Sequence, residues 1–219
     1  MTKKQGSLGD QVLHDVLRRH INLEMMELRE YAEEIEHYFA QQQKKLLERY
    51  EREVEKYPAA QEDIAEYLGE EKSRIEEIFL RSFRYSMIIA AHSVLEVLLE
   101  DLCRHAQRLH HQTKSVRDLG NDGIARAKRY LKTIAKISFP ENTNAWQQIE
   151  KSLKIRNCIV HTQGNIKKTR NPKALRNLVK SIKGITLDGA DRFIHIDSTY
   201  VPALIDNIET CVQHVYRSF

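Results

Sequence analysis

Arg156 and His161 are the pair in this chain whose types and spacing could do chemistry. They bracket the hexapeptide Arg156-Asn157-Cys158-Ile159-Val160-His161, which runs on into Thr162-Gln163-Gly164 and then a basic stretch. A guanidinium is permanently charged and forked, so it suits clamping a phosphate or stabilising a pentacovalent transition state. An imidazole titrates near neutrality and serves as general acid or as an acid–base shuttle. Together they suit chemistry on a phosphodiester.

Helical geometry constrains how the two cooperate. A turn of roughly 100° per residue puts Asn157 and His161, four apart, on one face, with Arg156 one step round from it. Arg156 and His161 reach a common point only if the helix loosens near His161 or a second subunit supplies a matching pair. Gly164 and Asn165 are favourable helix-stop residues, which places His161 in the last turn. There the negative end of the helix dipole favours the imidazolium by ~0.3–1 kcal/mol.

The pattern Arg-Asn-x-x-x-His-x-x-Gly, late in a helical chain, resembles the signature of HEPN domains, a family of helical proteins that includes ribonuclease toxins and antiviral ribonucleases. Arg156, Asn157 and His161 match its Arg, following polar residue and His. The stretch from Ser86 to Arg104 resembles the apolar helix that packs on the motif helix, and the resemblance covers about residues 80–219. It implies a metal-independent endoribonuclease needing no cofactor, in which the ribose 2′-OH attacks the adjacent phosphate. The products are a 2′,3′-cyclic phosphate and a 5′-OH. His161 would be general acid or base, Arg156 would stabilise the phosphorane, and Asn157 would orient His161 or the phosphate. The resemblance also implies a homodimer with a composite cleft, an antitoxin or defence-system partner, and a supporting acidic residue on a neighbouring helix, for which Glu96 is the candidate. The alternative is a non-catalytic HEPN-like module that binds RNA or protein.

Plainer readings stand beside these. Arg156 could close a surface ion pair and His161 could simply interact with the dipole. Cys158 sits among apolar neighbours without a base partner and reads as core rather than nucleophile. His92, Glu96 and Glu100 recur at four-residue steps, so a metal or acid–base pair is conceivable. His110-His111 diverge on a helix and have no companions at zinc spacing. His195 reads as structural. There is no glycine-rich phosphate loop, no Ser-His-Asp order and no HExxH.

A net charge of +4 hides an asymmetry. Residues 1–112 carry 16 Lys and Arg against 22 Asp and Glu, a net −6, whereas residues 113–219 carry 19 against 9, a net +10. Residues 162–187 hold no acid but include Lys167, Lys168, Arg170, Lys173, Arg176, Lys180 and Lys183. A basic stretch beside the motif reads as a nucleic-acid footprint, with Lys167, Lys168, Arg170, Lys173 and Arg176 as RNA contacts. Few aromatics interleave, so backbone contact is expected rather than base stacking. Three dispersed cysteines without CxxC, no signal-peptide pattern and no apolar run near ~20 residues lead to the expectation of a cytoplasmic protein with reduced thiols and no membrane span.

The elements that must position these residues read as all-α. Ser7 or Asp10 is expected to cap a first helix with a stripe of Leu23, Met26, Ile35, Tyr38, Leu46, Tyr50, Val54 and Tyr57. After a break at Pro58-Ala59-Ala60, a second series runs through Ile64, Leu68, Ile75, Phe79 and Phe83, so residues 1–80 form an antiparallel helical hairpin. A HEPN-like bundle is expected over residues 81–219. It has a central helix from Arg84 to about His110-His111, a loop at Val116–Gly123, a basic helix at Ile124–Ile137 and a turn at Pro140. The motif helix spans about Ala145–His161, with Asn144 and Gln147 in a capping arrangement. A small β-hairpin turning at Asp188-Gly189 and a helix from Pro202 to Tyr216 complete the chain.

Overall fold

A computed structural model describes residues 8–120 and 123–219. The fold is all-α, with a small antiparallel β-hairpin before the C-terminal helix. Helix α1 spans Leu8–Lys56. Neither glycine nor proline occurs between Gly9 and Pro58, so nothing in the sequence interrupts it. Pro58–Ala60 forms a 3-10 turn that reverses the chain, and α2 (Gln61–Ser73) returns along α1. From there a π-helical segment, Arg74–Leu80, leads without a break into α3, Arg81–Leu109. The helix therefore runs straight across residues 80 and 81, where sequence alone suggested a domain edge.

Two apolar clusters fill the molecule. The main one joins Leu17, Ile21, Met25, Leu28 and Ala32 of α1 to the core faces of α3, α4 (Gly123–Thr133), α5 (Asn144–Thr162) and α7 (Tyr200–Tyr216). The first half of α1 thus belongs to the bundle, and only its second half forms the hairpin. There Leu46, Leu68, Ile75 and Leu80 make a separate small cluster. The expected α1 stripe named the wrong face in the first half, since Leu23 and Met26 are exposed and Ile21 and Met25 are buried. Both faces carry apolar residues there, so spacing alone did not choose between them. Arg84 of α3 fastens the two halves: its guanidinium donates twice to Glu36 of α1, at 2.6 and 2.8 Å, and once to the Ile196 carbonyl at 2.7 Å.

Several element ends differ from expectation. Asp10 lies inside α1, and Ser7 lies outside the described residues. The basic helix stops at Thr133 rather than Ile137, where Lys136 adopts φ 57°. The α5 N-cap is Thr143, whose hydroxyl accepts from the Trp146 N–H at 3.3 Å, and not Asn144. The basic stretch, given no structure from sequence, contains a 3-10 turn at Ile166–Lys168 and helix α6 at Pro172–Lys180. Asn171 caps α6 by accepting from the Ala174 N–H at 3.0 Å, and Pro172 fills the first helical position, where its missing N–H costs nothing. Strands β1 (Ile185–Leu187) and β2 (Ile194–Ile196) pair antiparallel, and Asp188 closes the loop on Phe193 rather than turning tightly at Asp188-Gly189.

Candidate functional site

Helix α5 presents its inner face, Trp146, Ile149, Ser152, Ile155 and Ile159, to α3 and α7. Its outer face carries Lys154, Asn157 and His161 at steps of three and four, all exposed. The helix stays α-helical to Thr162, so it does not loosen at His161. Gln163, left-handed at φ 55°, ends it with its N–H on the Ile159 carbonyl at 2.8 Å. Gly164 follows at φ 76°, against the ring of Tyr85. The Gly164 carbonyl accepts from Ile194 at 3.0 Å and the Tyr85 hydroxyl donates to the Ile194 carbonyl at 2.6 Å, so the end of α5 is tied to the β-hairpin.

His161 and Asn157 line a groove of about 990 Å³ between α5 and α6. Lys154, Lys168, Arg170 and Asn171 line it too. Of the five basic residues singled out from sequence, Lys168 and Arg170 face this groove. Lys167 instead donates to the Ala190 carbonyl at 3.2 Å, and Arg176 lies 3.6 Å from Asp191, so both hold the hairpin loop. Lys173 is exposed on α6, outside the groove lining. Sequence reasoning missed Lys154, although its position three before Asn157 and seven before His161 marks the same face.

Arg156 does not join His161. It lines a second groove, of about 430 Å³, with His92, Ser93 and Glu96 of α3, Gly123 at the start of α4, and Asn157. Asn157 borders both grooves and accepts from Arg156 Nη1 at 3.3 Å. Among the described residues Arg156 has no carboxylate at ion-pair distance, so it does not close a surface ion pair. Glu96 sits at the mouth of this second groove, close enough to Gly123 that a side chain there would press on its carboxylate.

Beneath Arg156 lies a polar contact that sequence reading did not anticipate. His92 is 3% exposed, and its Nε2 is 2.9 Å from the Ser152 hydroxyl of α5. Burial first, and the Arg156 charge second, push its pKa down to about 4, leaving an uncharged ring at neutral pH. Tyr200 of α7 lies near Ser152, and burial raises its phenol pKa. Cys158 is buried beside Thr162, and burial raises its thiol pKa, the opposite of what a nucleophile needs. No group of three or more His, Cys, Asp or Glu residues is arranged for a metal among the described residues, so His92, Glu96 and Glu100 do not converge on one, nor do His110 and His111. No described helix is long and apolar enough to cross a membrane.

The outer face of α5 is therefore a basic surface bearing one imidazole, one guanidinium and one amide, divided between two adjoining grooves. No protein-family model matches the chain, and neither a curated protein nor a solved structure does so.

Proposed function

We propose that this chain is a metal-independent endoribonuclease of the HEPN type, acting as a homodimer. The observation that carries the reading is the outer face of α5, where Asn157 and His161 open onto a groove flanked by Lys154, Lys168 and Arg170, with Arg156 one step away. Lysines and an arginine along a groove follow a phosphate backbone. At the bond to be cut, the 2′-oxygen attacks phosphorus, its proton is taken up by a base, and the P–O5′ bond breaks. His161 delivers a proton to the leaving 5′-oxygen, and Arg156 offsets the charge on the non-bridging oxygens. One protomer keeps Arg156 and His161 in separate grooves, so pairing two α5 faces is what would set Arg156 of one protomer beside the partner's motif. Such an activity needs restraint in a cell, and a toxin or defence setting with a restraining partner protein is part of the proposal.

The separation of the two grooves also favours a second reading, a non-catalytic module that binds RNA or a protein. Incubating wild type, Arg156→Ala and His161→Ala with total and transfer RNA in EDTA, followed by end-group analysis, decides between them. Cyclic-phosphate ends made by wild type alone support the nuclease. RNA retention by all three proteins without cleavage supports the binding module.

A further inference from the structure

Ser152 and Arg156 are four apart on α5, so they stack on one face of that helix; Ser152 meets His92 of α3, and Arg156 lines the same groove as His92. Two nitrogens in this contact are shielded from solvent and have no hydrogen-bond partner among the described residues: His92 Nδ1 and Arg156 Nε. Buried polar atoms are rarely left so, because each forfeits its hydration without return. Both belong to side chains lining the same small groove, and the Arg156 charge acts on the imidazole. A guanidinium on a flexible stem samples many rotamers, and confining it needs a neighbour it cannot displace.

We propose that His92 is a positioning residue for Arg156: an uncharged imidazole, pinned through Nε2 to Ser152, backs the guanidinium and keeps it turned toward Asn157 and Glu96. With Nε2–H given to Ser152, Nδ1 keeps its lone pair and the ring stays uncharged, which is the favourable state beside a positive charge. Ser152 belongs to α5 and His92 to α3, so two packed helices jointly set one side chain. A protonated ring would repel Arg156, and the burial that keeps it neutral is part of the same arrangement. His92 touches no substrate in this scheme, since it acts from behind Arg156.

The catalytic consequence rests on the nuclease reading, and the structural one does not, so two readouts are needed. The first is the nitrogen–proton NMR signal of Arg156 Nε, assigned by its loss in Arg156→Lys, with its solvent-exchange rate. In wild type it exchanges slowly. In His92→Leu it shifts and exchanges at least about tenfold faster, whereas His92→Gln, whose amide can still reach Ser152, keeps most of the protection. The second is cleavage of a short RNA. His92→Leu lowers kcat about tenfold with KM little changed, and His92→Gln restores most of the loss. A merely structural residue would move the urea midpoint together with kcat, whereas here kcat falls in a protein of little-changed stability. An Arg156 signal unaltered in a folded His92→Leu protein overturns the proposal whatever the cleavage data say. A signal that moves in a protein without nuclease activity retires the nuclease reading and leaves the positioning role standing.

Discussion

Gly164 is fixed by two separate demands. Its φ of 76° is one that side chains other than glycine rarely adopt, and an added Cβ would land on the Tyr85 hydroxyl and ring. Gly164→Ala should therefore destabilise the fold by about 2 kcal/mol or more, read as a lower urea midpoint at unchanged slope. His92 makes a prediction of different sign character. Its folded pKa, about 4, lies below its unfolded value near 6.5, so the unfolded chain binds the extra proton between those two pH values. The stability it contributes is present above about pH 6.5 and is lost as pH falls toward 4, on the order of 3 kcal/mol in all. The groups around it are Arg156 of α5, Glu96 one turn on along α3, and Tyr200 of α7, which lies near Ser152. In His92→Gln that part of the slope of Tm against pH should vanish. At this scale the Arg156/His161 spacing and a helix end just past His161 were legible, because both are local, although Gln163 rather than Gly164 is the left-handed residue that caps α5. The contact of His92 with Ser152 was not, since sixty positions separate them and neither residue type announces the other.

Helix α6 and the turn before it decide which basic residues face solvent beside His161. Lys168→Ala and Arg170→Ala should each weaken RNA binding and reduce the salt slope by roughly 0.7–0.9, the loss of one phosphate contact. Lys167→Ala and Arg176→Ala should leave that slope nearly unchanged and instead loosen the hairpin loop, seen as faster amide exchange at Arg192 and Phe193. The Asn171-Pro172 pair signalled the start of α6 and Thr143 signalled that of α5, so both caps were readable in the sequence. They were obscured by strong neighbours, a basic run in one case and Asn144 in the other. The face of α1 was not readable in its first half. Apolar residues occur on both sides, and only packing against α3 and α7 selects Ile21, Met25 and Leu28.

Across the whole molecule, the division of charge bears on what is drawn to it, and the proposed pairing can be tested by mixing. Residues 1–112 are net negative and residues 113–219 net positive, so a polyanion is drawn to the α5–α6 side and repelled from the helical hairpin. If cleavage takes Arg156 from one protomer and His161 from its partner, mixing inactive Arg156→Ala with inactive His161→Ala should restore activity. Random exchange makes half the dimers mixed, each with one intact site of two, so recovery should approach about a quarter of wild type. No recovery after verified subunit exchange would place both groups in one protomer. The all-α class and the order of elements apart from α6 were legible from periodicity and from Pro58. The union of the hairpin with the core was hidden, because the second arm enters α3 with no glycine or proline between Ser73 and Leu109.

That union passes through the π segment at Arg74–Leu80. Bonds from i to i+5 accommodate an extra residue relative to an α-helix, so everything on its N-terminal side is set out of phase with α3 by about 100°. On one side of the segment Leu68 packs with Leu46, and on the other α3 faces the bundle. The segment acts as a gear tooth between arm and body: deleting one residue within it would re-phase the arm, swing Leu68 away from α1, and let the hairpin melt ahead of the bundle. A single thermal transition would then split in two.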